Sequence, residues 1–303
     1  MEQPVVKFIF VNRTLGMIHQ PSVSVKQMPV KKVTRLTTVP SLDTLSVEEP
    51  LEIRIVFGPG TNRVQKVISV TMRTPGHDAE LALGFLFTEG IISSYRDVVS
   101  VSRTGIPQQD NVVCIELAES FNPHLAQADR NFYMTSSCGL CGKKSIQSIK
   151  TVSAFNPQDK PSLSVSAKML YTLPATLRVA QRVFAETGGI HASGLFTSEG
   201  DLVVLREDVG RHNALDKVVG NAIANNLLPL NRHILLLSGR ASFELIQKAA
   251  MAGISVVAAI GAPSSLAVEL AAEFDMTLLG FLRHDRFNIY TSSHHTLIST
   301  ADK

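Results

Sequence analysis

The chain has 303 residues, 45% hydrophobic and 18% charged, with 29 Lys plus Arg, 26 Asp plus Glu and three cysteines. Apolar content at that level supports a buried core, excludes wholesale disorder, and at this length suggests about two domains. A net charge of +3, no Trp and four Tyr leave neither the basic footprint nor the stacking capacity of a nucleic-acid binder.

Residues 1–46 carry six basic and two acidic side chains and no sustained period, which predicts a loosely ordered extension. Alternation at 51–57 and 64–72 around the Gly58-Pro-Gly-Thr-Asn62 turn predicts a hairpin. Residues 78–89 read as a helix stopped at Gly90, and short strands are expected at 97–101 and 112–117. The glycine-rich stretch 135–145 reads as a loop. A helical stretch over 166–186, divided at Pro174 and closed by Gly188-Gly189, follows. Strands at 191–197, 202–206, 234–237, 255–260, 277–282 and 287–290 then alternate with helices at 213–224, 242–252 and 266–274. That order predicts an α/β sheet covered on both faces by helices. No apolar run approaches the ~18 residues of a membrane span, no secretory leader is visible, and three cysteines do not make a disulfide scaffold. The expected setting is the reducing cytoplasm, with no membrane attachment.

Four constellations could carry chemistry. Cys138 and Cys141 stand three apart among Ser and Gly, followed by Lys143 and Lys144, whose ammonium groups favour the reactive thiolate. A structural zinc site needs four ligands, and the remaining cysteine, Cys114, sits in an apolar strand where it is expected to be core, so no structural metal is expected. A thioredoxin-type dithiol opens a helix inside a βαβ unit, unlike this loop. Persulfide carriage needs exposure, mobility and cationic help, which the loop offers. The turns Ser238-Gly-Arg240 and Gly261-Ala-Pro-Ser264 each follow a strand and open a helix, placing Arg240 and Ser264 where a phosphorylated ligand would sit. The run 206–217 puts Arg211 and His212 at a helix start, against the dipole preference, with Asp208 as a candidate cap. Finally, Phe281-Leu-Arg-His-Asp-Arg286 clusters two arginines and a histidine between strands, either as a hairpin tip or as a clasp for phosphate or guanine. A zinc deaminase would need an H-x-E run followed by P-C-x-x-C. Here His191-Ala-Ser193 lacks the Glu and the C-x-x-C comes first, which disfavours deamination.

Taken together, Met72-Arg-Thr-Pro-Gly-His-Asp78, 81–92, Ser137-Cys-Gly-Leu-Cys-Gly142, 189–194, 207–217 and Leu237-Ser-Gly-Arg-Ala-Ser242 resemble the FdhD family over residues 47–295. Members of that family are accessory sulfurtransferases of formate dehydrogenases. The resemblance implies a homodimer that takes sulfur from a cysteine desulfurase and delivers it to the molybdenum cofactor. That substrate is a bis(molybdopterin guanine dinucleotide), sulfurated before insertion into formate dehydrogenase. By the same resemblance Cys138 would carry the persulfide, Cys141 would assist, and Phe281, Leu282, Arg283, His284, Asp285 and Arg286 would bind the cofactor. A cytidine deaminase-like three-layer α/β domain at 151–303 is implied, after a smaller α+β domain at 47–150. A non-catalytic cofactor chaperone, needing the nucleotide site but not the thiols, is the alternative.

Overall fold

The computed structural model describes residues 24–103, 111–123, 125, 155 and 161–299. The expectation of a loosely ordered extension is corrected over its second half. β1 (Val25–Val33) and β2 (Thr38–Ser46) pair antiparallel as a two-stranded hairpin. Its turn is set locally, by Thr34 Oγ1 accepting from the Leu36 and Thr37 amides at 3.3 and 3.1 Å. The strands carry no apolar alternation because neither face is buried, and Pro29 and Pro40 are tolerated where no third strand needs their donors.

The expected hairpin at 51–72 is β3 (Glu49–Phe57) and β4 (Val64–Arg73). With β5 (Val98–Arg103) and β6 (Val112–Leu117) it forms a four-stranded sheet ordered β4-β3-β6-β5, in which β3 and β6 run parallel. Leu51, Ile53 and Ile55 alternate inward under α1 (Asp78–Thr88). At the entry to α1, buried Arg73 forks onto Asp78, with Nε to Oδ1 and Nη2 to Oδ2 both at 3.0 Å, fixing the end of β4 to the helix start. Cys114, expected in the core, is instead half-buried on β6 between inward-facing Val113 and Ile115.

The later elements build the larger sheet. β7 (Leu163–Ser166) leads into α2 (Ala167–Leu170), α3 (Leu173–Ala180) and α4 (Arg182–Thr187). The helical stretch is divided just before Pro174, which occupies the first turn of α3, where its missing N–H costs nothing, and it breaks a second time at Gln181. β8 (His191–Phe196), β9 (Leu202–Asp208), α5 (Arg211–Ala224), β10 (Ile234–Leu237), α6 (Phe243–Met251), β11 (Val256–Ala259), α7 (Ser265–Glu273), β12 (Thr277–Gly280), β13 (Asn288–Thr291) and β14 (Thr296–Ser299) follow. Six strands form one sheet in the order β13-β12-β11-β10-β8-β9, with β10, β11 and β12 parallel at its centre. Both faces are buried. Leu235, Leu237, Val257 and Ala259 face α5, α6 and α7, whereas Ile234, Leu236, Val256 and Ala258 face α2, α3 and β7. The second face is therefore covered partly by the parallel β7–β14 pair, not by helices alone.

The two sheets share one core, which runs from Leu51 and Ile115 through α1 and α5 to Leu235 and Val257. The expected boundary at residue 150 lies outside the described residues. What joins the sheets is a backbone contact between α1 and α5. A Cβ on Gly84 would fall 1.8 Å from the Asp216 carbonyl oxygen, and one on Gly220 would fall 1.8 Å from that of Glu80. Around this crossing lie buried charges. Lys248 Nζ reaches both Asp216 oxygens at 3.0 and 2.9 Å and Thr88 Oγ1 at 2.9 Å, tying α6, α5 and α1 together. Burial would push Asp216 up and Lys248 down, but Asp216 together with Glu89 and Glu244 keeps the ammonium protonated.

Glu80, on α1, accepts from Arg206 Nη2 at 2.8 Å and Asn221 Nδ2 at 2.9 Å. Burial alone would raise its carboxyl; bonds from Arg206, His77 and Asn221 outweigh that and hold it at about 2.

Two outcomes follow for stability. Ala at a helix interior normally gains up to ~1 kcal/mol over Gly, so Gly84→Ala isolates the contact. It should lose about 3 kcal/mol or more in urea unfolding, because the obstructing atom is backbone. Because the folded pKa of Glu80 lies below its unfolded value of 4.5, its stabilisation is present above pH 4.5 and is lost as pH falls towards 2. Glu80→Gln should cost roughly 1–2 kcal/mol at pH 7, after allowance for solvent screening, with the difference from wild type closing in acid melts.

Candidate functional site

Three loops meet at the carboxyl ends of β10, β11 and β12, the edge where open α/β sheets collect ligands. They are laced by backbone bonds. The Gly261 amide donates to Gly239 O at 2.9 Å, Ser264 to Ala241 O at 3.0 Å, Phe281 to Gly261 O at 3.1 Å and Leu282 to Ala259 O at 3.1 Å. Gly261 is required here, since a Cβ would lie 3.0 Å from both the Gly239 oxygen and Arg240. Arg240, Ser264 and residues 281–286, far apart in sequence, are thus brought to one edge.

Their roles within it differ. Arg240 and Arg286 are exposed. Arg283 is half-buried, and its Nη1 donates to the carbonyls of Ile260 and Leu282 at 2.7 and 2.9 Å, so it pins the loops to each other. Leu282 is 0% exposed and belongs to the core, so only its backbone reaches the edge. Ser264 caps α7, its Oγ accepting from the Ala267 amide at 3.3 Å. Phe281 sits at φ +54°, a left-handed conformation that turns its ring outward. His284 and Asp285 are exposed at the tip. Cys138, Cys141, Lys143 and Lys144 lie outside the described residues.

The run 206–217 resolves into a clamp. Buried Asp208 is not the cap of α5, a position held by Gly210. It takes Lys217 Nζ at 2.7 Å, the Thr74 amide at 3.2 Å and the Gly210 amide at 2.9 Å. Lys217 also donates to Thr74 O at 2.9 Å, so the segment grips the turn after β4. His212 Nε2 lies 3.3 Å from Ser242 Oγ and 3.6 Å from Glu244 Oε2, between the starts of α5 and α6.

Antiparallel β8 begins where β10 ends, and the Ala192 amide donates to Ser238 Oγ at 2.8 Å, so His191 joins the same edge. Burial and the nearby Arg211 charge push its imidazole down, leaving it neutral at neutral pH. It borders a cavity of about 510 Å3 lined by Arg178, Gln181, Phe184, Ser238 and Ile260, among others. Through Ile260 the cavity adjoins the loop pinned by Arg283. Arg178, Gln181 and Phe184 were not singled out by the sequence. They flank the break between α3 and α4, which falls inside the stretch expected to be helical to 186.

The hairpin reaches this rim. β2 packs on α4, and Ser46 Oγ donates to Gly189 O at 3.2 Å.

The FdhD/NarQ family model matches residues 47–297. The sulfur carrier protein FdhD of Mycolicibacterium paratuberculosis is 50% identical over 269 residues, spanning 86% of this chain and 96% of its own. The protein of that name from Streptomyces coelicolor is 48% identical over 264 residues, spanning 86% and 91%. The protein of that name from Picrophilus torridus is 43% identical over 257 residues, spanning 84% and 92%. In fold the chain is similar to a solved structure from Desulfotalea psychrophila described as a formate dehydrogenase accessory protein, with TM-score 0.67 and 20% identity over 90% of this chain and 99% of that one. With the family match covering both sheets and the laced edge, the chain belongs to the FdhD/NarQ family.

Proposed function

We propose that this protein is a sulfurtransferase that carries persulfide sulfur from a cysteine desulfurase to the bis(molybdopterin guanine dinucleotide) molybdenum cofactor, on which formate dehydrogenase depends. The observation that carries the reading is the pairing of Cys138 and Cys141 in a chain about half identical to relatives named sulfur carriers. The Cys138 thiolate attacks the terminal sulfur of the donor's persulfide; a new S–S bond forms on Cys138 as the donor's S–S bond breaks, and the donor leaves as thiolate. Lys143 and Lys144 favour the anionic forms; attack of the Cys141 thiolate on the Cys138 sulfur forms a Cys138–Cys141 disulfide as the persulfide S–S bond breaks, releasing the outer sulfur as hydrosulfide for the cofactor, and a small-molecule thiol then reduces the disulfide and is itself oxidised.

The cofactor enters as substrate, its phosphates facing Arg240 and Arg286 and its ends held by the loops from 261 and 281. These cations are local. Residues 47–303 hold 23 basic against 24 acidic side chains, so the net positive charge of the chain belongs to residues 1–46. The protein acts in the cytoplasm as a homodimer, with its six-stranded sheet in a cytidine deaminase-like arrangement. Among the described residues no helix is long and apolar enough to cross a membrane.

Incubation with cysteine desulfurase and cysteine should add one sulfur to the intact mass, and Cys138→Ala should abolish the gain. No gain by the wild type, with the cofactor still bound, would make the protein a chaperone instead. For the edge, Arg240→Ala and Arg286→Ala should each weaken guanosine diphosphate binding by about tenfold in calorimetry, the scale of a lost charge-assisted bond. Unchanged affinity in both would place the nucleotide elsewhere.

A further inference from the structure

The β1–β2 hairpin lies just before the family match and is the part of the fold with the least to hold it. Its strands, nine residues each and about 30 Å long at ~3.3 Å per residue, pair only with each other. A two-stranded hairpin standing alone is marginal in water. Only the base is tied down: the Val47 amide donates to Ser24 O and Ser24 Oγ donates to Pro75 O, both at 2.9 Å, beside the Ser46–Gly189 bond. Further out, Leu36, Val33 and Leu42 are 94%, 72% and 60% exposed. Lys26, Lys31, Lys32 and Arg35 are exposed too, against Asp43 alone, so residues 25–46 carry a net +3 on a body of net −1.

The strand register decides what kind of surface this is. Opposed residues of an antiparallel pair share a face, and successive pairs alternate between faces. Pro29–Leu42, Lys31–Pro40 and Val33–Thr38 therefore lie on one face, and Met28–Asp43, Val30–Ser41 and Lys32–Val39 on the other. Each face mixes exposed apolar side chains with a lysine, whereas an element that lies on a lipid surface gathers its apolar residues on one side. Pro29, Pro40 and the lysines also blunt both edges against strand addition. What fits is a protein cleft that closes around the hairpin, apolar within and acidic at its margins. A second copy fits less well, because it brings another +3 arm and a body with only one acidic side chain in surplus.

The base of the arm says where that cleft stands. Gly189, which accepts from Ser46, lines the cavity beside His191, and β2 packs on α4, whose Phe184 lines the same cavity. A protein that grips the arm is therefore held over the carboxyl-end edge of the larger sheet. We propose that the β1–β2 hairpin is a docking arm taken up by an acidic cleft of cofactor-free formate dehydrogenase. The inference rests on the reading above, since the protein that stands over a loaded edge is the one that takes the cofactor from it. The arm supplies attraction and contact area, and touches neither the thiols nor the arginines of the edge.

The test uses the full-length protein and purified cofactor-free formate dehydrogenase of the same organism, with binding followed by interferometry. Lys31→Glu, Lys32→Glu and Arg35→Glu combined should slow association about tenfold at low ionic strength, a gap that narrows near ~1 M salt. Leu36→Ser with Leu42→Ser should speed dissociation about tenfold. Because these side chains are exposed, both variants should melt as the wild type does, and both should keep the sulfur gain at Cys138 and the affinity for guanosine diphosphate. Unchanged rates in both variants overturn the inference, as does a wild type that does not bind the dehydrogenase. A loss seen only with phosphatidylglycerol vesicles, or only in the monomer–dimer equilibrium by sedimentation, also overturns it and gives the arm to a membrane or to a second copy. The sulfur-carrier reading is judged separately, by the mass gain of the wild type.

Discussion

The crossing of α1 and α5 at Gly84 and Gly220 governs the rest of the molecule. With no side chain on either residue, each helix backbone rests on the other, and the four-stranded and six-stranded sheets close over one apolar interior. Such proximity buries charges that would otherwise face water. Asp216 and Glu80 both lie beside the contact, and each is answered from a third element, by Lys248 of α6 and Arg206 of β9. A buried carboxylate left alone would be strongly destabilising, whereas a paired one mainly fixes geometry. The pairs therefore set the register of three helices, and apolar burial supplies the stability.

That register reaches the carboxyl-end edge of the larger sheet through α5. Its first turn carries Arg211 and His212 beside the start of α6, and the preceding Asp208–Lys217 pair grips the turn between β4 and α1. The edge is thus held from two directions, by loops laced at the strand ends and by a helix anchored to the smaller sheet.

Much of this was legible in the sequence. Strand β10 falls at the expected 234–237, and most later helices and strands fall within two residues of expectation, because apolar runs bounded by glycine turns are strong signals. The placement of the arginine-rich tip and the turn at 261–264 after strand ends was legible from chain order alone. Other features depend on contacts that local pattern does not encode. β7 and β14 have four residues each and pair across most of the larger domain, so neither shows a period of its own. The β1–β2 hairpin buries no face and leaves no alternation to read. Arg283 looked like a ligand clasp in sequence, and its bonds to two carbonyls appear only when the chain is folded. Gln181 is an ordinary helix-end residue until its surroundings are known.

The contact between Ser46 and Gly189 has a consequence for how the family can vary. The hairpin ends one residue before the family match begins, yet it rests on the helix that borders the cavity beside His191. A change in its length or sequence alters the doorway of that cavity without touching a strand end, a laced loop or an arginine of the edge. The approach to that cavity and the laced edge are therefore built from separate stretches of the chain, so the first can vary while the second stands still.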